Sequence, residues 1–174
     1  MNFTISQKQA LLIRPLEARD LLPLEWDGQY AHFRHKHHTD YQRSLRGEIY
    51  YLIADVAGFP AGQLIFKTHD PSPENSYLAD GITRGYLFSL RVHQDYRKQG
   101  LGHALTHAAQ AALKAKGFTL ATICVEKTNI YAKTLYEKWG YKIVRDHIGY
   151  WSYQDLDGTT KYHADPEWVM EKLI

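Results

Sequence analysis

Residues 97–102 read Arg97-Lys98-Gln99-Gly100-Leu101-Gly102 and connect a strand-like run to a helical pattern. The two glycines let the chain turn sharply and let its backbone N–H groups approach a bound anion closely. A helix that begins here adds unpaired N–H groups and a partial positive charge, which suit a pyrophosphate. Two basic residues stand at the start of the turn. The sequence therefore predicts an anion-binding turn at the N-terminus of a helix.

The segments on either side of this turn alternate between strand and helix patterns. Before it lies the apolar run Gly85–Val92, and after it apolar residues recur at helical spacing as far as Lys116. Phe118–Val125 has the composition of a buried strand, and Asn129–Trp139 has that of a helix that ends at Gly140. The central part of the chain is therefore predicted to be β-α-β-α.

The remaining segments are mostly strand-like. In chain order they are Leu11–Pro15, the hairpin Tyr50–Val56 and Ala61–Lys67, Tyr141–Val144, the hairpin Tyr150–Tyr153 and Lys161–His163, and Trp168–Ile174. Residues 26–46 show no regular pattern, and residues 69–76, with two prolines, predict a surface loop. The chain contains no repeat, linker or low-complexity tract, so we expect residues 1–174 to form one mixed α/β domain.

The composition excludes several classes of protein. The net charge is only +2, from 21 basic and 19 acidic residues, so nucleic acid is not expected as a partner. Residues 1–12 do not resemble a secretory signal and no apolar run could cross a bilayer, so we expect no membrane partner and a cytoplasmic location. The single cysteine, Cys124, excludes a disulfide framework and is expected to be a buried core thiol.

A glycine turn of this kind also occurs in dinucleotide-binding folds, so the turn alone leaves several nucleotide cofactors open. Glu126, at the end of the next strand, stands about where such a fold places a ribose-binding acid. Against that fold, Leu105 occupies the position of the third glycine, and too little chain follows to complete a parallel sheet. An NAD(P)-dependent oxidoreductase is therefore only a distant alternative for the function of this chain.

A second motif distinguishes among these cofactors. Asn129, Ala132 and Tyr136 are followed by Gly140-Tyr141. Together with the glycine turn, this pattern resembles the GNAT N-acetyltransferase superfamily, closely over residues 86–144 and more loosely before them. The resemblance implies an α+β fold with a mixed, mostly antiparallel central sheet of about seven strands flanked by helices, and a splay between strands four and five. It also implies transfer of an acetyl group from acetyl-CoA to a primary amine, directly, in a ternary complex.

The resemblance also assigns roles to residues. The strand before the turn would pair with the pantetheine arm of CoA like an added strand, and the N–H groups of residues 99–103 would hold the pyrophosphate. The acetyl group would enter the splay between the two central strands. The residues expected to bind acetyl-CoA are Leu90, Arg91, Val92, Arg97, Lys98, Gln99, Gly100, Leu101, Gly102, His103, Asn129, Ala132 and Tyr136.

Acyl transfer to an amine needs a neutral nucleophile, a polarised thioester carbonyl and a proton for the departing thiolate. Tyr136 is expected to give that proton, because a phenol with a pKa near ~10 is protonated at neutral pH. Glu126 is the expected general base. Three alternatives for this role are Ser89 acting through a water molecule, a histidine, and ordered water alone. A non-catalytic acyl-CoA-binding module is the alternative in which the same cavity binds without turnover.

Aromatic and histidine residues are concentrated in residues 26–41. By the resemblance this region borders the acceptor pocket, so Trp26, Tyr30 and Phe33 are expected to contact an acceptor that carries an apolar or aromatic portion. The acceptor could be a small-molecule amine or a protein amine. The histidines of residues 32–38 stand beside basic residues without a cysteine or a carboxylate pair, so no metal is expected. Aromatic residues of the late hairpin indicate a homodimer contact.

Overall fold

The computed structural model describes residues 10–174, which form one seven-stranded sheet and three α-helices. The strands are β1 Leu11–Pro15, β2 Tyr50–Val56, β3 Phe59–Lys67, β4 Arg84–Val92, β5 Leu120–Glu126, β6 Lys142–Gln154 and β7 Thr160–Leu173. The helices are α1 Arg34–Leu45, α2 Leu101–Ala115 and α3 Ile130–Lys138. No helix in this part of the chain is both long and apolar enough to cross a membrane.

The strand order in the sheet is β1-β2-β3-β4-β5-β7-β6. Every neighbouring pair is antiparallel except β4 and β5, which run parallel from Arg84, opposite Leu120, to Leu87, opposite Ile123. Beyond that last pair the two strands continue without pairing to each other, so the sheet opens between them. This confirms the predicted mixed, mostly antiparallel sheet with a splay between its fourth and fifth strands.

A β-bulge at Ser89 bends β4 where the splay begins. The φ of Ser89 is +55°, in the left-handed region that non-glycine residues seldom adopt. The pairing register with β3 shifts between Gln63 and Ile65, so two β4 residues stand opposite one β3 residue. The side-chain amide of Gln63 donates to the Ser89 carbonyl at 3.1 Å. The bulge therefore redirects β4 away from β5 and is held in place by a neighbouring strand.

Two apolar layers cover the two faces of the sheet. On one face α2 packs the fully buried Leu105 and Leu113 against β3 and β4. A Cβ at Gly85 would lie 2.2 Å from the side chain of Leu113, so this glycine lets α2 approach β4 closely. On the other face Trp26 and Tyr51 belong to a second buried cluster beneath the turns that precede α1. The side chains of alternate residues in the central strands thus enter different cores.

Two elements differ from the sequence prediction. Helix α1 lies inside residues 26–46, for which no regular pattern was expected. Its buried residues are the polar His37 and Asp40, so its inward face carries no apolar stripe that the sequence could reveal. Strands β6 and β7 are continuous over 13 and 14 residues where shorter separate strands were expected. Most of β6 is exposed, so apolar alternation does not mark its full length.

Candidate active site

The turn before α2 presents a row of backbone amides. Lys98 and Gly100 both have left-handed backbone, with φ values of +59° and +87°. The Ala104 N–H donates to the Gly100 carbonyl at 2.9 Å and closes the first turn of α2. The amides of residues 101–103 therefore have no acceptor within the helix. A Cβ built at Gly100 would meet no heavy atom of residues 10–174 within 4 Å, so the turn faces open space. These amides suit a bound pyrophosphate.

A cavity of about 600 Å³ extends from this turn along β4 to α3. This volume is in the usual range for a small-molecule site. Gln99 is the one expected acetyl-CoA residue that does not line it, because its side-chain amide donates to the Asp95 carbonyl at 3.0 Å. The expected residues that do line it are Leu90, Arg91, Val92, Arg97, Lys98, Gly100, Leu101, Gly102, His103, Asn129, Ala132 and Tyr136.

Tyr136 forms part of the cavity wall on α3. The side chain of Asn129 caps this helix by accepting a hydrogen bond from the Ala132 N–H at 3.1 Å, which fixes where α3 begins after β5. The Tyr136 side chain packs beside Trp139, with ring centroids 5.8 Å apart. Burial raises the pKa of Tyr136 above its ordinary value. Its hydroxyl is therefore protonated throughout the physiological pH range and available as a proton donor.

Three other predicted residues lie outside the cavity. Trp26 is 4% exposed in the core, and its indole N–H donates to the Pro60 carbonyl at 2.9 Å. Phe33 lies beside Tyr30, with the two rings stacked at 6.1 Å. Glu126 is exposed at the end of β5. Of the three expected acceptor-pocket residues, Tyr30 alone lines the cavity.

The cavity also contains residues that neither motif names, which are Tyr96, Tyr131, Leu135 and Trp139. Leu135 and Trp139 lie on the same face of α3 as Tyr136, so helical periodicity alone could have placed them together. A Cβ at Gly102 would lie 3.5 Å from the Trp139 ring. The indole therefore closes the cavity where α2 and α3 approach each other.

A layer of aromatic rings lies beside the cavity, between α1 and the β6–β7 hairpin. Phe33 contacts Tyr153 edge-on at 4.8 Å and lies 6.2 Å from Trp151. The guanidinium of Arg91 lies over the rings of Tyr30 and Phe33, at 4.4 and 5.0 Å. Burial lowers the pKa of Arg91, and its buried Nη1 has no hydrogen-bond partner among residues 10–174. This layer is thus a wall of aromatic rings, the aromatic wall, and the guanidinium of Arg91 packs against two of its rings.

A buried hydrogen-bond chain joins α1 to the bulge in β4. The Tyr51 hydroxyl donates to Gln63 Oε1 at 2.8 Å, and His37 Nδ1 lies 3.0 Å from the same hydroxyl. Because the hydroxyl proton points to Gln63, the His37 Nδ1–H is the donor to Tyr51. Gln63 in turn donates to the Ser89 carbonyl. Burial lowers the pKa of His37 to about 3, so this histidine is neutral. The chain ties α1 to the strand segment that opens the splay.

Comparison with known proteins identifies the family. Residues 17–141, which include both motifs, match the model of the Acetyltransferase (GNAT) family. N-alpha-acetyltransferase 20 of Dictyostelium discoideum is 30% identical over 125 residues, which are 71% of this chain and 66% of that protein. The mycothiol acetyltransferase of Propionibacterium freudenreichii subsp. shermanii is 31% identical over 71 residues, which are 41% of this chain and 23% of that protein. The match spans less than two thirds of the length of either relative.

Solved structures share the fold. The ribosomal-protein-S18-alanine N-acetyltransferase of Escherichia coli superposes with a TM-score of 0.66 at 22% identity, over 95% of this chain and 94% of that one. An N-acetyltransferase of Staphylococcus aureus Mu50 gives 0.70 at 16% identity, over 94% and 98%. The PaiA N-acetyltransferase of Thermoplasma acidophilum, solved in complex with coenzyme A, gives 0.66 at 18% identity, over 95% and 99%. With the family match over most of its length and this fold, the chain belongs to the GNAT family of acetyltransferases.

Proposed function

We propose that this chain transfers the acetyl group of acetyl-CoA to a primary amine, directly, in a ternary complex. The observation that carries the proposal is one continuous cavity, which runs from the amides of residues 101–103 along residues 90–92 to the hydroxyl-bearing face of α3. The amides would hold the pyrophosphate. The edge of β4 beyond Leu87 no longer pairs with β5, so it offers backbone groups to the pantetheine arm.

The chemistry follows from where the thioester would lie. With the pantetheine along β4, the acetyl group enters the splay, where an amine can reach the carbonyl carbon. As the C–N bond forms, charge develops on the carbonyl oxygen, and as the C–S bond breaks, an electron pair leaves on sulfur. Tyr136 supplies the proton for that thiolate, because it is protonated and lines the same cavity.

A thiol-release assay tests the proposal. Wild-type protein should release free CoA thiol from acetyl-CoA with at least one member of a mixed amine panel, with acetylated amine as the second product. Tyr136→Phe should lower kcat on the order of 10²-fold or more while leaving the Kd for acetyl-CoA nearly unchanged. The control is Tyr141→Phe, because the Tyr141 hydroxyl is bonded to Gln110 at 2.8 Å and lies outside the cavity. Unchanged turnover in Tyr136→Phe would remove this residue from the acid role.

The acceptor is proposed to carry an apolar or aromatic portion. Tyr30 lines the cavity, and the rings of Phe33, Trp151 and Tyr153 continue from it as one wall. Such a wall favours apolar surface on the ligand. A panel that includes arylalkylamines, peptides with a free N-terminus and polyamines should therefore give its highest kcat/KM with an aromatic or apolar member. Reaction with polyamines alone would contradict this assignment.

The alternative function is a non-catalytic acyl-CoA-binding module. Tight binding of acetyl-CoA without thiol release for any amine would favour it. The oxidoreductase alternative has little support, because the sheet contains one parallel pair of strands rather than a doubly wound parallel sheet. A cytoplasmic location and a homodimer stay predictions. Tyr150 and Tyr162, which are 80% and 81% exposed on the outer face of the hairpin, would form the dimer contact, and a monomeric mass in light scattering would dismiss it.

A further inference from the structure

Three titratable side chains meet on the sheet face opposite α2. They are Cys124 on β5, His147 on β6 and Glu167 on β7, and their side-chain donor atoms all lie within 4.8 Å of one another. His147 stands directly opposite Glu167 in the β6–β7 register. Cys124 follows Ile123, which packs into the core under α2, so the alternation of the strand turns the thiol to the other face. Neither motif in the sequence includes any of these three residues.

This cluster borders the splay. Pairing between β4 and β5 ends at Ile123, and Cys124 is the next residue. Desolvation raises the pKa of Tyr86 well above its usual value, and the nearby Cys124 and Tyr136 raise it further. Tyr86 pairs with Thr122, two residues before Cys124, so strand alternation places its side chain on the same face of the sheet as the thiol. An amine that approaches the thioester from the face opposite α2 would pass this cluster.

The Glu167 carboxylate packs against the backbone of β6. A Cβ at Gly149 would lie 2.5 Å from Glu167 Oε2, so the carboxylate occupies the space beside this glycine. His147 Nε2 lies 3.8 Å from the same oxygen, and the Tyr77 hydroxyl lies 2.5 Å from His147 Nδ1. The carboxylate is thus partly buried, with a hydrogen-bonded tyrosine–histidine pair beside it.

The surroundings of Glu167 favour a carboxyl group that exchanges its proton near neutral pH. Burial, together with the negative charges of Asp165 and Glu126, raises its pKa to about 7, and the neighbouring Cys124 thiol opposes this shift. Burial and Arg145 lower the pKa of His147, so the histidine is neutral. The titratable groups around the carboxylate are Tyr86, Cys124, Glu126, Arg145, His147, Asp165 and Tyr77.

We propose that Glu167 is the proton acceptor for the acceptor's ammonium group, with the His147–Tyr77 pair positioning its carboxylate. This rests on the acetyl transfer proposed above. Glu167 takes one proton from the ammonium and later releases it to solvent. The freed nitrogen lone pair forms the C–N bond, the C–S bond breaks, and sulfur takes the Tyr136 proton. The surplus proton on nitrogen then restores the Tyr136 hydroxyl, so the products are the amide, free CoA and one proton.

The test is the pH dependence of kcat/KM with the best amine of the panel. Glu167→Gln should lower kcat/KM about 10²-fold or more at pH 7 and move the acidic limb of the profile up to the pKa of the amine. The deficit should shrink as the pH rises towards the pKa of the amine, because free amine needs no base. Glu167→Asp keeps a carboxylate and should keep the limb at a reduced rate. Glu171→Gln is the control, since Glu171 lies on the same strand and pairs with Arg84 at 3.1 Å.

The outcomes separate this inference from the proposed function. If wild-type protein releases no CoA with any amine, the proposed function fails. If wild-type protein is active and Glu167→Gln, with an unchanged Kd for CoA, keeps the wild-type profile, the Glu167 assignment alone is overturned. If Glu126→Gln instead moves the acidic limb up to the pKa of the amine, the role belongs to Glu126. Activity lost on dialysis against EDTA and restored by Zn²⁺ would also overturn it, because the carboxylate would then be a metal ligand.

Discussion

Removal of one buried hydroxyl group, in Tyr51→Phe, tests the chain that ties α1 to the β4 bulge. Tyr51 is 3% exposed, and its hydroxyl satisfies both His37 Nδ1–H and Gln63 Oε1. The substitution leaves both of these groups without a partner. A buried group left unpaired costs about 1–3 kcal/mol, so we expect a loss of about 2–4 kcal/mol in the free energy of unfolding. Since small domains have about 5–15 kcal/mol, the variant should still fold.

Urea denaturation measures this loss, and it should appear as a lower midpoint at an unchanged slope. The matched control is Tyr50→Phe on the same strand, because the Tyr50 ring stacks on Phe66 at 4.7 Å while its hydroxyl bonds to no group in residues 10–174. The control should change stability by less than about 0.5 kcal/mol. Adding Gln63→Leu to Tyr51→Phe should cost less than the sum of the single changes, since both partners become apolar. A Tyr51→Phe loss no larger than that of the control would refute the reasoning.

Two further predictions concern the anion site and acid stability. Gly100→Glu should raise the Kd for CoA by at least ~10-fold, because it places a carboxylate at the helix N-terminus that would hold the pyrophosphate. The control is Gly158→Glu, which has nearly the same left-handed φ, +86°, in open space, and should share the backbone strain while leaving the Kd unchanged. Equal affinities of the two variants would contradict pyrophosphate binding at the turn before α2. Folded His37 stays neutral down to a pKa of about 3, whereas the unfolded chain binds a proton below about 6.5, so stability contributed by this group rises with pH between those values. His37→Gln should therefore flatten the pH dependence of the unfolding free energy by about 1.4 kcal/mol per pH unit between pH 6 and 4.5, and an equal slope in both proteins in urea titrations would count against a neutral buried histidine.

The turn before α2 and the start of α3 were predictable because the information for them is local. The turn at Gly100, the start of α2 and the cap at Asn129 each depend on residues within a few positions of one another. Consecutive residues therefore encoded both the turn with its free amides and the helix that carries Tyr136. The cavity lining differs from the sequence prediction mainly by adding Tyr96, Tyr131, Leu135 and Trp139 to it.

The aromatic wall and α1 were harder to predict because they depend on packing between distant segments. Trp26 was expected to line the acceptor pocket, but it lies in the core, where its indole N–H donates to the Pro60 carbonyl. The sequence does not show which of several neighbouring aromatic rings is buried. The inward face of α1 carries the polar His37, which bonds to Tyr51 on β2, and Asp40, which bonds to Lys36 and Arg43 of the same helix. The sequence of this helix therefore has no apolar stripe. Composition alone could not distinguish these cases.

The sequence by itself determined the glycine turn, the two motif helices and, through the resemblance, the class of sheet and the family. These features rest on short-range rules of turn, cap and periodicity. Tertiary structure alone decided the bulge at Ser89 and the meeting of Cys124, His147 and Glu167, because both depend on strand register. Register brings together residues dozens of positions apart, and a slip of one residue would turn the carboxylate of Glu167 to the opposite face of the sheet.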